Sequence, residues 1–215
     1  MMLLILLSFG PGLIWLWFFY RQDRRPEPGH LIGKTFLWGA IFVLPAAAVE
    51  SLYGKLISQP PNLLILFLIS VLGVGLVEEA AKLGALWAGA WRRAEFDEPV
   101  DGIIYAITAA LGFAALENML YGVRFGTGVI PARALITLLA HASFSGIAGF
   151  WLSRARFEKS SLWPGLALAS LLHGSYNFLL ASKLPNILAL VLLVASFLYL
   201  RQLIGRANTL GGGGP

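Results

Sequence analysis

The chain has 215 residues, of which 58% are hydrophobic and 13% charged, and it contains no cysteine. Soluble domains are usually about half apolar and about a quarter charged, so this composition predicts an integral membrane protein without disulfides or cysteine-ligated metals. The net charge of +5 is explained more simply by the basic loops of a membrane protein than by nucleic-acid binding.

Seven apolar segments follow one another along the chain, and most approach the ~20 residues that a helical span needs. They predict an all-α, polytopic transmembrane helical bundle. The segments cover approximately residues 3–20, 35–56, 63–87, 102–121, 132–152, 162–180 and 186–200. We expect a single membrane domain over residues 1–206, followed by a flexible glycine-rich tail at 207–215.

Basic residues are distributed unequally between the loops that these segments predict. Eleven lie on one side of the bundle and four on the other. The positive-inside rule therefore places the amino terminus outside and the carboxyl terminus in the cytoplasm, as an odd number of spans requires. The larger group is Arg21, Arg24, Arg25, Lys34, Arg92, Arg93, Arg154, Arg156, Lys159, Arg201 and Arg206, and the smaller group is Lys55, Arg124, Arg133 and Lys183.

The third apolar segment contains the sequence VEEAAK, with Glu78, Glu79 and Lys82. An ionisable side chain in hydrocarbon is costly unless it has a partner or faces water. Both carboxylates are one helical turn before the lysine, so either one can pair with its ammonium group. The motif is compatible with a structural ion pair at the membrane interface and with a buried functional site.

The next three segments each carry further polar residues. Glu117 lies near the end of the fourth segment, His141 and Ser145 share a helical face in the fifth, and His173 and Asn177 share a face in the sixth. Each histidine alone is compatible with an ordinary hydrogen-bonded core residue. Acids or histidines on four consecutive spans favour one shared polar pocket.

The order of these residues resembles the PrsW-type intramembrane proteases, which are related to the CAAX-prenyl endopeptidase and to bacteriocin-processing membrane proteases. Their pattern of EExxK, FxxxE and two histidine-bearing helices is matched in order along the chain. The stretches EPVDGIIYAITAALGFAALEN and YRQDRRPEP are also similar to members of this family. The resemblance implies an integral protein of a prokaryotic plasma membrane that cleaves membrane-embedded protein or peptide substrates.

Peptide hydrolysis requires an activated water, a group that stabilises the oxyanion and a proton donor for the leaving amine. In one mechanism Glu78 is the base, Glu79 is the next candidate and Lys82 is their electrostatic partner. His141 and His173 then polarise the carbonyl group.

In this metal-free mechanism Ser145 and Asn177 support the catalytic groups. A second mechanism is equally compatible with the sequence: Glu117, His141 and His173 form a His/His/Glu zinc site whose fourth position is left for water. The chain lacks the HExxH motif that would favour zinc directly.

Helical geometry complicates the assignment of Glu117. On ideal upright helices Glu78 and Glu117 lie at different depths, so helix tilt or close packing at glycines is needed to bring them together.

Two other functions are compatible with buried acids and histidines. A proton-coupled transporter would use the acids and histidines as a relay, although the sequence shows no inverted repeat. A non-catalytic scaffold would use them only to fix helix packing.

Overall fold

The computed structural model describes residues 2–211, apart from the side chains of Val129 and Ala132. These residues form helices and contain no strand, so the predicted all-α class is confirmed. The helices are α1 (Met2–Tyr20), α2 (Gly29–Ser51), α3 (Gly54–Ser58), α4 (Leu63–Trp91), α5 (Pro99–Phe125), α6 (Arg133–Phe157), α7 (Trp163–Ala181) and α8 (Ile187–Gly211), with short helical turns at Thr127–Val129 and Ile130–Ala132.

Helix α5 occupies the centre of the bundle. Of its most apolar stretch 89% is buried, whereas the corresponding share is between 28% and 33% for α1, α2, α4 and α8. Large apolar side chains such as Ile14, Leu44 and Val191 are exposed on the outer helices. Such extensive apolar exposure is expected where the surrounding solvent is lipid.

Six of the helices are long and apolar enough to cross a membrane: α1, α2, α4, α5, α6 and α8. The predicted sixth segment forms α7, whose 19 residues are long enough, but it falls short in hydropathy. Its polar residues include Ser170, His173 and Asn177. The number of spans and the orientation of the termini remain predictions.

Several predicted boundaries differ from the observed helices, most of all in α2 and α8. Helix α2 begins at Gly29, before the predicted start at 35, and ends at Ser51. Helix α8 continues to Gly211, so the predicted tail begins inside a helix, where Ala207 is buried and Asn208 donates a hydrogen bond to the Gln22 carbonyl. Residues 212–215 lie outside the described residues, and the single domain at 1–206 remains a prediction.

Glycine residues allow the helices to cross at very short distances. A Cβ atom added at Gly39 of α2 would overlap the carbonyl oxygen of Ala109 in α5, and one at Gly112 of α5 would overlap that of Phe36 in α2. Small residues at such contacts are typical of membrane helices, because packing and not the exclusion of water holds them together.

We expect Gly39→Ala to destabilise the protein by about 1–3 kcal/mol, because the new methyl group meets rigid backbone of α5. Gly33→Ala in the same helix is the matched control, since a Cβ there meets nothing within 4 Å. Thermal unfolding of both variants in detergent tests this. Equal stability of the two variants would contradict the close α2–α5 contact.

Candidate active site

The EExxK motif lies on α4 directly after a π-helical turn at Ile69–Gly75. Glu78, Glu79 and Lys82 are all buried, with 4%, 0% and 1% of their surfaces exposed. The Lys82 Nζ atom donates to Glu78 Oε2 at 3.1 Å and to Glu79 Oε1 at 2.8 Å. The predicted pairing is therefore present in the protein interior, where an unpaired charge would be strongly unfavourable.

His173 of α7 reaches this cluster because α4 and α7 cross at two glycines. A Cβ atom at Gly174 would overlap Val71 of α4, and one at Gly75 would overlap the backbone of α7 at Ser170. The residue before Gly174 is His173, whose Nδ1 atom lies 2.8 Å from Glu79 Oε1. The close crossing thus sets the position of the imidazole.

The Glu79 carboxylate is fully occupied by hydrogen bonds. Its Oε1 atom contacts Lys82 and His173, and its Oε2 atom accepts a hydrogen bond of 2.6 Å from the Ser145 hydroxyl of α6. Both oxygens are committed to protein partners, so Glu79 is arranged to hold His173, Lys82 and Ser145 in place. This arrangement is typical of a carboxylate that orients a histidine.

Glu78 faces both histidines. Its Oε2 atom lies 3.8 Å from His141 Nδ1 and 3.7 Å from His173 Nε2. The two imidazole rings are 4.9 Å apart and inclined at 72°. Within residues 2–211 the buried His141 Nδ1 atom has no hydrogen-bond partner.

Glu78, His141 and His173 form a group that could hold a metal ion, with one potential ligand atom from each within 4.8 Å of the others. Two imidazole nitrogens and one carboxylate oxygen are a usual ligand set for catalytic zinc. Ligands of a tetrahedral zinc ion are separated by about 3.3 Å, so the observed distances of 3.7 and 3.8 Å require only a small adjustment. The residues therefore fit a metal.

Glu117 lies on the other side of the His141 ring. Its Oε2 atom is 3.4 Å from His141 Nε2, whereas Glu78 is nearest to Nδ1. Arg133 Nη2 is 3.1 Å from the same Glu117 oxygen. The helices thus bring Glu117 beside the site, but in this structure Glu78, and not Glu117, completes the converging group.

Asn177 is half-buried and makes no side-chain hydrogen bond to these groups among the described residues.

Two neighbouring residues were not expected at the site. Arg133 was counted as a loop charge, although it also donates to Asn118 at 3.0 Å. Glu50 of α2 has a buried Oε1 atom that finds no partner in residues 2–211, and it is close enough to interact electrostatically with Glu117 and Lys82. The sequence offered one signal for Glu50: it is an acidic residue within a predicted apolar segment, and such a residue is costly there unless it has a function or a partner.

Comparison with known proteins identifies the family. Residues 27–200 match the PrsW family intramembrane metalloprotease. The chain belongs to this family. A protein named Protease PrsW from Bacillus subtilis (strain 168) is 35% identical over 188 residues, covering 85% of this chain and 84% of the relative. Another from Geobacillus kaustophilus (strain HTA426) is 34% identical over 187 residues, covering 84% and 80%. No solved structure matches the chain.

Membership of the PrsW family confirms the predicted activity at the level of reaction class. The chain is an intramembrane endopeptidase, and therefore a peptide hydrolase, of an integral membrane type found in bacteria. The transporter and scaffold hypotheses are not favoured. A protein substrate and a surrounding lipid bilayer follow from the activity and from the apolar helices.

We expect Ser145→Ala to lower the cleavage rate by about 10–100-fold, because it leaves a buried Glu79 oxygen without its donor and loosens the hold on His173. Ser143→Ala is the matched control, since the Ser143 hydroxyl donates to the Leu139 carbonyl within the same helix and not to the Glu79 carboxylate. Cleavage of a single-span substrate by both purified variants is the measurement. Similar losses in both would mean that the Ser145–Glu79 bond has no special role.

Proposed function

We propose that this PrsW-family protease hydrolyses its substrates at a metal site formed by Glu78 Oε2, His141 Nδ1 and His173 Nε2. The observation that supports the proposal is the arrangement of the two imidazoles, each of which has a carboxylate at its other ring nitrogen. Glu79 is adjacent to His173 Nδ1, and Glu117 is adjacent to His141 Nε2. Carboxylates in this position orient metal-binding histidines and increase their basicity.

Zinc is the metal that suits this ligand set best, and when bound it polarises a scissile carbonyl and makes a water molecule more acidic. The chain's own residues supply the positioning. Glu79, Lys82 and Ser145 hold His173, while Arg133 and Glu117 hold His141. Glu50, whose buried Oε1 atom has no partner among the described residues, is a further carboxylate within electrostatic range of Glu117 and Lys82.

The alternative without a metal uses Glu78 as the base that activates water. It is favoured by one observation: Lys82 Nζ is only 3.1 Å from the same Glu78 oxygen and compensates its negative charge. In that mechanism His141 and His173 face the reacting carbonyl and donate to the developing oxyanion. Both mechanisms place Glu78 at the reacting atoms, so the role of a metal separates them.

The substrate that fits this site is the membrane-embedded segment of a protein or peptide. The catalytic side chains come from α4, α6 and α7 and are buried within the helical bundle. The apolar outer surfaces of the helices can contact a hydrophobic substrate segment in the bilayer. The bond to be cleaved must then enter the polar cluster around Glu78.

We also propose that α7 crosses the membrane as a seventh span, with the amino terminus outside and the carboxyl terminus in the cytoplasm. Its 19 residues extend about 28 Å, close to the ~30 Å of the hydrocarbon core. Its polar face is directed at the active site, where His173 contacts Glu79. Its low hydropathy therefore reflects, in part, the polar side chains on the face that carries His173.

We expect Glu78→Gln and His173→Ala to abolish cleavage while the protein remains folded and inserted in the membrane. His30→Ala provides the control. His30 is the one histidine of the three that lies outside the site, and it is exposed at the start of α2. Cleavage of a co-expressed single-span substrate is the readout. Full activity of both site variants would overturn the assignment of the site.

Chelation separates the two mechanisms. If a metal is required, a chelator should stop cleavage by the purified protein, and added zinc should restore it. His141→Ala should also lower the zinc content measured by elemental analysis. Unchanged activity in the chelator, with no zinc in the active protein, would favour Glu78 acting as the base.

The proposed topology can be tested with single cysteines, because the chain has none of its own. In intact cells a membrane-impermeant thiol reagent should label Asn186→Cys after α7, but not Ser161→Cys before it. Permeabilised cells should give labelling of both. Equal labelling of the two positions in intact cells would show that α7 does not cross the membrane.

A further inference from the structure

A second cluster of carboxylates lies where the α1–α2 loop meets the beginning of α5. It consists of Asp23, Glu27 and Asp101, which we call the acidic cluster. Each residue offers one oxygen atom, and the three atoms lie within 4.8 Å of one another. Asp101 is 16 positions before Glu117 on α5, a distance of about 24 Å along a helix. The acidic cluster is therefore separate from the active site.

Protein donors satisfy only part of this cluster. Asp23 Oδ1 accepts from the Arg25 backbone N–H at 2.9 Å, and Asp101 Oδ2 accepts from the Glu98 N–H at 2.6 Å. The Tyr105 hydroxyl donates to Glu27 Oε2. The remaining oxygens, Asp23 Oδ2 and Asp101 Oδ1, are buried without a partner among the described residues.

Burial makes these unpaired oxygens significant. Asp23 is 5% exposed and Asp101 is 1% exposed. A buried carboxylate oxygen without a donor is unfavourable, and several such groups in contact repel one another. Glu27 and Asp101 are both acids, yet one oxygen of each lies within 4.8 Å of the other. A positive charge or a shared proton is needed to make this arrangement stable.

Arg25 forms no salt bridge with the acidic cluster in the part of the chain that the structure describes. Its side chain is 69% exposed, and its guanidinium pairs with Glu98 instead. Further acids are also close, because Glu95 and Asp97 line an open cleft of about 330 Å³ together with Arg25 and Glu27. Glu27 is the member of the acidic cluster that lines this cleft, so a small hydrophilic ion can approach the cluster from the Glu27 side.

We propose that Asp23, Glu27 and Asp101 bind a hard divalent cation, Ca²⁺ or Mg²⁺, that fastens the α1–α2 loop to the start of α5. Oxygen ligands alone are the preference of these ions. Two oxygens bound to one Ca²⁺ ion are at most about 4.8 Å apart for bonds of roughly 2.4 Å, so the three oxygen atoms are close enough together to share one ion. Waters in the cleft complete the coordination.

Such a cation would have a structural role. Of the six long apolar helices α5 is the most deeply buried, and Phe113 in its middle and Glu117 one turn later contact catalytic residues. The Asp101 carboxylate also caps α5 through the Glu98 N–H. A cation that joins Asp101 to Asp23 and Glu27 would fix the position of this central helix relative to the first two helices.

Protons are the competing way to neutralise the acidic cluster, since burial raises the pKa of Asp23 and of Glu27. The two possibilities differ in a measurable way. A bound cation stabilises the folded protein in proportion to its concentration, whereas shared protons make the stability insensitive to Ca²⁺ and Mg²⁺.

The experiment uses the purified full chain, from which loosely bound cations are removed by gel filtration without a strong chelator, so that any metal at the active site is retained. CaCl₂ and MgCl₂ are titrated separately while thermal unfolding is recorded. At a hundredfold excess over Kd, the binding cation should raise Tm by about 5–10 °C. Tb³⁺, a luminescent substitute for Ca²⁺, should show emission sensitised by Tyr105, whose hydroxyl contacts Glu27.

Variants locate the effect. Asp23→Asn and Asp101→Asn should lose the cation-dependent rise in Tm, whereas Glu158→Gln should keep it, because Glu158 is an exposed acid paired with Arg154. His173→Ala should also keep it, which separates this cation from any metal bound by Glu78, His141 and His173. If neither CaCl₂ nor MgCl₂ changes Tm of the wild-type protein, or if Asp23→Asn and Asp101→Asn respond like it, the proposal is wrong.

Discussion

The stability of an ion pair inside an apolar bundle is the constraint on which the rest of this structure depends. Lys82 is 1% exposed, and its ammonium group can exist there only because Glu78 and Glu79 are within hydrogen-bonding distance. Glu79 in turn requires Ser145 and His173 to satisfy its remaining positions. The buried Lys82 ammonium group thus links side chains on three helices. The reactive groups of the protease belong to the same network of hydrogen bonds that stabilises this buried charge.

Close helix crossings make this network geometrically possible. Hydrogen bonds operate over only about 3 Å, so side chains on different helices meet only if the backbones are already near. The contacts of Gly75 and Gly174 bring α7 against α4, and those of Gly39 and Gly112 bring α2 against α5. In a membrane these contacts gain stability from packing, because lipid provides no hydrophobic drive for helices to associate. The glycines therefore support the site without any chemical role.

Much of this arrangement could be predicted from the sequence. Apolar runs predicted the helices, and the cost of burying charge indicated that Glu78, Lys82, His141 and His173 belong together. The position of Glu117 could not be predicted, because depth estimates assume upright helices and say nothing about which ring nitrogen a carboxylate approaches. The extension of α8 to Gly211 was also missed, since its last turn is held by contacts such as Asn208 with Gln22.

The π-helical turn at Ile69–Gly75 also affects how the sequence of α4 should be interpreted. A π-helix has more residues per turn than an α-helix, so the turn acts as a local insertion in the helical register. Each residue of an α-helix advances by about 100°, and a helical wheel drawn through the turn would misplace every later side chain by a comparable angle. The direction in which the Glu78 carboxylate points therefore depends on the π-helical turn. A mutation that converted this turn to regular α-helix would rotate Glu78 away from the histidines without altering any reactive group.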